Sequence, residues 1–143
     1  MPIILLKILL FGHLGLLIEV WFTALHSLIF KKDLKMPGRT YLWMIGIYGI
    51  GGWSLGLLRD QFTHWFLFIP AAVSYIFAME FFSGLAIKKI IGTCPWDYGQ
   101  ARFGLAGLVR FDYIPFWLLL ALGFDMLADK MTQMIEAAGR IVQ

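Results

Sequence analysis

Four long apolar segments alternate with short polar connections along the chain. They run from about Ile3 to Phe30, from Tyr41 to Leu58, from His64 to Ile87, and within Phe103 to Leu127. A helix needs about 20 apolar residues to cross the roughly 30 Å hydrocarbon core of a bilayer. The pattern therefore predicts a transmembrane domain of four helices over residues 1–128.

The start of the fourth segment and the tail that follows it are less regular. Arg110, Asp112 and Pro115 interrupt the start, so residues 99–110 fit an interfacial helix, a re-entrant piece or the first turns of the span. Residues 129–143 place apolar side chains at helical spacing. This spacing predicts an amphipathic C-terminal helix on the membrane surface, and a partner-binding helix is the alternative.

Composition agrees with a membrane class. Hydrophobic residues make up 60% of the 143 residues and charged residues only 15%, and the mean hydropathy is +0.77. Soluble domains contain about 45–50% apolar residues even when glycine is counted. We therefore expect an all-α integral membrane protein whose first partner is the lipid bilayer. No basic face of the kind that binds nucleic acid is present, so no nucleic-acid partner is expected.

The basic residues predict an orientation. Residues 31–40 and 88–111 carry eight of them, and the opposite side carries four. The eight are Lys31, Lys32, Lys35, Arg39, Lys88, Lys89, Arg102 and Arg110. Because cytoplasmic loops are enriched in Lys and Arg, we expect both connections in the cytoplasm and both termini outside. The expected location is a bacterial inner membrane.

Two stretches of the first half recur in the second. "IEVWFTAL" resembles "MEFFSGLA", and "MPGRTYLWMIGIYGI" aligns with "CPWDYGQARFGLAGL". This echo suggests two two-helix repeats, residues 1–63 and 64–128. Chance is the alternative, since glycine matches are common in membrane helices. The second alignment pairs Pro37 with Pro95, Gly46 with Gly104, and Gly49 with Gly107.

Two glutamates lie inside predicted spans. An ionisable residue at a helix centre costs about 2.5–3.5 kcal/mol on insertion scales, so it usually faces a bundle interior, a partner or water. Glu19, Thr23 and His26 share one helix face by their i, i+4, i+7 spacing. We expect Glu19, Glu80 and Asp97 to converge on one polar, water-accessible cavity in the cytoplasmic half.

Nearby charges complete this candidate ligand-binding site. Arg102 or Arg110 would contact a phosphate or carboxylate of the ligand, with Asp112 beside them. The alternative is that each glutamate is protonated, or paired with one of these arginines or with a tyrosine, and joins helices. No residue is assigned as catalytic, and neither a metal nor a cofactor is assigned.

Glycine and tryptophan suggest packing and anchoring. The second span carries Gly49, Gly52 and Gly56 on one stripe, which permits close helix packing within the chain or between copies in a homo-oligomer. Five tryptophans near predicted span ends fit interfacial anchors: Trp43, Trp53, Trp65, Trp96 and Trp117. Cys94 is the only cysteine, so no disulfide within the chain is expected.

The motifs resemble a known family. They are "GLLIEVWFTA", "PGRTYLWMIGIYG", "MEFFSG" and, most specifically, "CPWDYGQARFGLAGLVRFDYIPFW" with its Trp-Asp-Tyr. Over roughly Gly12 to Trp117 the chain resembles the ABC-transporter type IV family of small multi-pass membrane proteins, which includes vertebrate members. The resemblance implies a polytopic, permease-like protein and draws attention to Glu19, Glu80 and Asp97.

Three functional hypotheses follow. The leading one is a membrane protein whose cytoplasm-facing polar site binds or translocates a small or lipid-like ligand. The second is an accessory subunit of a larger membrane complex, whose buried charges a partner satisfies. The third is a membrane-embedded, lipid-modifying enzyme that uses the carboxylates and His26 in acid–base or metal-assisted chemistry.

Overall fold

The computed structural model describes residues 3–99 and 102–141, which form four long helices and one short β-hairpin. The helices are α1 (Ile3–Lys31), α2 (Trp43–Arg59), α3 (Trp65–Ile91) and α4 (Ile114–Ile141), and the strands are β1 (Gly104–Leu105) and β2 (Val109–Arg110). The predicted helical membrane class is confirmed. Three helices are long and apolar enough to cross a membrane: Ile3–Lys31, Trp65–Ile91 and Phe111–Ile135.

The second predicted span is the shortest helix. α2 has 17 residues, which corresponds to about 26 Å at a rise of 1.5 Å per residue. This length is at the lower limit of a membrane crossing. Four crossings therefore remain a prediction.

The described chain divides into two compact units. Unit 1 contains residues 1–53 and 135–143, and unit 2 contains residues 54–134. α2 contributes residues to both. Each unit is described by itself below.

In unit 1 the chain turns sharply after α1 and runs back along it. Lys32 adopts a left-handed conformation, with φ of 53°, and the Asp33 amide donates to the Ser27 carbonyl at 3.3 Å. A residue in the left-handed conformation just past the last helical residue ends many helices. Farther on, the Arg39 amide donates to the Thr23 hydroxyl at 2.8 Å. We call residues 32–42 the first return segment.

Glycines bring α1 and α2 close together in unit 1. A Cβ atom built at Gly49 would lie 2.5 Å from the Ile8 carbonyl oxygen, and one at Gly12 would lie 2.6 Å from the Ile45 carbonyl oxygen. A Cβ at Gly52 would lie 2.7 Å from the Phe11 side chain. Two glycines of the predicted stripe therefore serve packing within the chain. A homo-oligomer through Gly49, Gly52 and Gly56 remains a prediction.

The core of unit 2 is formed by α2, α3 and α4. Phe68, Ala72 and Ala121 are fully buried, and Leu55 joins them from α2. Polar links lie in or beside this core: the Ser54 and Tyr75 hydroxyls share a hydrogen bond, and Arg59 of α2 pairs with Asp125 of α4.

Unit 2 also contains a segment that runs back along the preceding helix. α3 ends at Gly92, whose φ is 81° and whose amide donates to the Lys88 carbonyl. We call residues 92–113 the second return segment. It includes the hairpin, in which Leu105 pairs with Val109, and a 3₁₀ turn over Phe111–Tyr113.

For residues 99–110, the hairpin corrects two of the three expectations, the interfacial helix and the first turns of the span. Ala106 and Gly107 both have positive φ, 55° and 72°, and the Leu108 amide donates to the Leu105 carbonyl at 3.0 Å. Positive φ at both central residues is the mark of a tight hairpin turn. The chain therefore folds into two short strands here, and the helix of the last span begins only at Ile114.

The aligned glycines of the two halves do not occupy equivalent structures. Gly46 and Gly49 lie within α2, whereas Gly104 lies in β1 and Gly107 in the hairpin turn. The predicted C-terminal helix is not a separate element either, because α4 continues without a break from Ile114 to Ile141. Duplication into residues 1–63 and 64–128 remains a prediction.

Candidate functional site

Glu80 lies on the buried face of α3 in unit 2. Ile69, Val73, Gly84 and Ile87 are buried on the same helix, and their spacing of four, seven and eleven residues relative to Glu80 places them on one stripe. Oε1 of Glu80 accepts a hydrogen bond of 2.9 Å from the Tyr98 hydroxyl. Oε2 is buried, and no described residue donates a hydrogen bond to it.

The second return segment positions Tyr98 over Glu80. The Tyr98 amide donates to the Gly107 carbonyl at 2.9 Å, and Trp96 Nε1 donates to the Leu108 carbonyl at 3.1 Å. Leu108 and Trp96 both lie against Gly84 of α3, where a Cβ atom would be 3.0 Å from Leu108 and 3.3 Å from Trp96. The hairpin and the Trp-Asp-Tyr motif therefore form one cover over this part of α3.

Asp97 supports the cover. Its Oδ1 accepts a hydrogen bond of 2.8 Å from the Gly99 amide, which is the local turn that aspartate favours. The same oxygen would lie 2.8 Å from a Cβ atom at Gly107, so only glycine fits there without a shift. Asp97 thus lies in the same segment as Tyr98, which binds Glu80, but the Asp97 carboxylate itself binds the backbone amide of Gly99.

Arg110, Asp112 and Tyr113 form a charged and aromatic cluster beside Tyr98. Arg110 makes two hydrogen bonds to the Asp112 carboxylate, and these raise the pKa of Arg110. Its guanidinium lies 4.6 Å from the Tyr113 ring centre, and the Tyr113 and Tyr98 rings meet edge to face at 5.7 Å. Asp112 therefore neutralises Arg110. Among the described residues, neither ion pair includes Glu80.

Glu19 occupies a related position in unit 1. Its Oε2 accepts a hydrogen bond of 2.5 Å from the Thr40 hydroxyl in the first return segment. Thr23 donates to the Glu19 backbone carbonyl at 2.9 Å and binds the Arg39 backbone. His26 is exposed, and its ring lies 4.7 Å from that of Phe30. The structure thus gives Glu19 and Thr23 a shared role in holding the first return segment.

The predicted site residues are divided between the units. Glu19, Thr23 and His26 belong to unit 1, whereas Glu80, Asp97, Arg102, Arg110 and Asp112 belong to unit 2. Arg102 is exposed and stacks on Phe103 at 5.5 Å. Convergence of Glu19 with Glu80 remains a prediction. The alternative that Glu80 pairs with a tyrosine holds for one of its two carboxylate oxygens, Oε1, which Tyr98 binds.

Several residues of the site were missed from sequence. Thr40 and Tyr98 occupy the same column of the aligned repeats "MPGRTYL" and "CPWDYGQ", and a search for matched hydroxyls would have found both. Trp117 packs against the unit 2 core, and its role as an interfacial anchor remains a prediction. Its Nε1 is buried, and no acceptor lies in the described part of the chain.

The described residues bring together no group of three or more His, Cys, Asp or Glu that could hold a metal ion. Cys94 is free and half-buried at the start of the cover. Burial raises the pKa of the Cys94 thiol, which makes it a poor nucleophile at neutral pH because the thiolate is the reactive form.

A comparison with protein families identifies the chain. The model of the family described as "Putative ABC-transporter type IV" matches residues 6–142. The chain belongs to this family. The resemblance carried by the glutamate and Trp-Asp-Tyr motifs is thereby confirmed, and the type IV family description connects the chain with transport across membranes. No solved structure matches this type IV family member.

Proposed function

We propose that this type IV family member binds or translocates a small or lipid-like ligand through a polar site at Glu80. The site lies where the second return segment covers α3, on the side of the membrane that the basic residues assign to the cytoplasm. The Glu80 carboxylate is the ligand-binding group, and the segment that carries Tyr98 controls access to it.

One observation carries the proposal: Oε2 of Glu80 is buried without a hydrogen-bond donor among the described residues. An unpaired buried carboxylate oxygen costs about 1–3 kcal/mol or more. If Glu80 served only to join elements, a second donor would satisfy this oxygen, as Tyr98 satisfies Oε1. A ligand that donates to Oε2 recovers this cost on binding.

The non-helical backbone beside each glutamate supports access from water. In unit 1, the first return segment is not helical beside Glu19, and Arg39 in that segment is exposed. Non-helical backbone at membrane depth is tolerated only where protein buries it or where it lines a water-filled cavity. The same reasoning applies to residues 94–99 and 102–110 beside Glu80, so the proposal places each return segment at the cytoplasmic interface.

Identification of bound molecules tests the proposal. The wild-type protein and Glu80→Gln would be purified in mild detergent, and the molecules that remain bound would be identified by native mass spectrometry. We expect a molecule that binds the wild type at defined stoichiometry and that Glu80→Gln loses. Ser83→Ala is a matched control, because Ser83 lies one turn along α3 and its hydroxyl bonds only carbonyls of its own helix.

The same variants separate binding from a structural role. In Glu80→Gln, Tyr98 can still donate to the oxygen of the introduced amide, so we expect this variant to fold as well as Ser83→Ala does. Equal retention of bound molecules by both variants would contradict the proposal. So would loss of the bound molecule from both variants.

A further inference from the structure

We infer that the ligand of the Glu80 site presents a primary ammonium group, and that it displaces the Tyr98 hydroxyl and opens the cover formed by residues 94–99 and 102–110. This inference rests on the proposed function and specifies its ligand. Four features of unit 2 support it: the charge of the site, its rings, its hydrogen-bonding capacity and the way it is closed.

The charge of the site favours a cation. Glu80 is the acid of the site, and Arg110 of the neighbouring cluster is occupied by two hydrogen bonds to Asp112. Removing one partner of a buried charge pair leaves the other strongly unfavourable. In its ionised form, a carboxylate that no described basic residue neutralises favours a positively charged ligand over a neutral or anionic one.

The aromatic rings favour an ammonium group. The hydroxyl of Tyr98 bonds Glu80, and the Tyr113 ring meets the Tyr98 ring edge to face at 5.7 Å. Cations are attracted to the faces of aromatic rings. Arg110 already exploits this attraction at 4.6 Å from Tyr113 and 5.9 Å from Tyr98, so the surroundings accept positive charge.

The hydrogen-bonding capacity distinguishes a primary from a quaternary ammonium. Oε1 of Glu80 already accepts from Tyr98, whereas Oε2 has no donor among the described residues. A carboxylate only accepts hydrogen bonds, and a primary ammonium donates three. A quaternary ammonium donates none, so it would leave Oε2 unsatisfied.

The cover must move for such a ligand to enter, because protein atoms enclose Oε2. The cover meets α3 through the hydrogen bond from Tyr98 to Glu80. Trp96 and Leu108 meet Gly84 through apolar atoms. An ammonium group that takes over Oε1 and Oε2 replaces this bond. Cys94 lies at the start of the cover, so the reactivity of its thiol reports the opening.

The experiment compares two lipids that differ mainly in the headgroup amine, which is a primary ammonium in one and a quaternary ammonium in the other. The protein would be placed in nanodiscs of phosphatidylethanolamine mixed with phosphatidylcholine, or of phosphatidylcholine alone, and the alkylation rate of Cys94 would be measured. We expect alkylation to be about tenfold faster with phosphatidylethanolamine, the factor that one charged hydrogen bond supplies. Free ethanolamine added to phosphatidylcholine nanodiscs distinguishes the source of the ammonium group. If ethanolamine accelerates alkylation as much as phosphatidylethanolamine does, a soluble amine is sufficient. If ethanolamine has no effect, the ligand is the lipid.

Three variants make the result decisive. Glu80→Gln should abolish the difference between the lipids, and Tyr98→Phe should alkylate fast in phosphatidylcholine alone. Cys94→Ser with Gln61→Cys reports any general effect of lipid on the reagent, because Gln61 lies in the exposed turn after α2. Equal rates with both lipids and with ethanolamine would overturn the ligand class, as would a difference that persists in Glu80→Gln. If Glu80→Gln still loses a bound molecule in that case, the proposed function stands and only the ammonium assignment fails.

Discussion

Tyr98 donates a hydrogen bond of 2.9 Å to Glu80 across 18 positions of the chain, and Thr40 donates one of 2.5 Å to Glu19 across 21 positions. In both units a long helix therefore carries a glutamate in its C-terminal half, and a hydroxyl from the following return segment binds that glutamate. The internal duplication itself remains a prediction. The two units differ afterwards, because only the second inserts a hairpin before its next helix.

Removing the Tyr98 hydroxyl should loosen the cover. Tyr98→Phe keeps the ring and deletes the donor to Glu80, so we expect a loss of about 1–3 kcal/mol in the free energy of unfolding. Thermal or SDS-induced unfolding of the purified protein measures this loss. Tyr41→Phe is the matched control, because the Tyr41 side chain is about half exposed at 51%. Equal stability of the two variants would show that the Tyr98 bond contributes nothing.

Two glycines on α2 should respond in opposite directions to the same substitution. Gly49→Ala places a methyl group 2.5 Å from the Ile8 carbonyl oxygen, whereas a Cβ at Gly46 meets nothing within 4 Å. We expect Gly49→Ala to lower stability. Gly46→Ala should raise it by up to about 1 kcal/mol, since alanine is the better helix former. Unfolding curves of the two variants compare them directly, and the same sign for both would contradict the α1–α2 packing.

The single cysteine should react slowly. Because burial raises the pKa of Cys94, less thiolate is present at any pH below that pKa, and the alkylation rate should rise as the pH increases towards it. The neighbouring Thr93 is exposed, so Thr93→Cys in a Cys94→Ser background provides the comparison. We expect the wild type to react more slowly at pH 7. A rate equal to that of the Thr93 variant would show that the cover does not protect Cys94.

The helices could be predicted from the sequence because their signal is long and repeated. The apolar runs of α1 and α3 predict the ends of both helices to within a few residues. The sequence also predicts each of the three described helices that are long and apolar enough to cross a membrane. The hairpin could not be predicted, because its signal is a two-residue turn at Ala106 and Gly107. Its apolar residues, such as Leu105 and Val109, also suit a membrane helix.

The candidate site was predicted in part for a similar reason. The cost of a charge in the membrane identifies Glu80 from its position alone. Its partner depends on where the chain turns after Ile91, and composition does not encode that turn. Tryptophan suits both a membrane interface and a core, so the packing of Trp117 against the unit 2 core could not be predicted from its position in the sequence.

The proposed orientation can be tested with introduced cysteines in a Cys94→Ser background. Position 61 follows α2, and position 89 lies in the last turn of α3; both are exposed. If α2 crosses the membrane, Gln61→Cys should react with an impermeant maleimide in intact cells, and Lys89→Cys only after permeabilisation. Lys35→Cys, in the first return segment, should behave like Lys89→Cys. Matching behaviour of positions 35 and 61 would mean that α2 does not cross.

The ligand at Glu80 is the centre of this account, and an experimental structure of the protein in native lipid tests it most directly. We expect density that belongs to no protein atom within about 3.2 Å of Glu80 Oε2, and its loss in Glu80→Gln prepared in the same way. A wild-type structure in which a protein group donates to Oε2, with no such density beside it, would contradict the account.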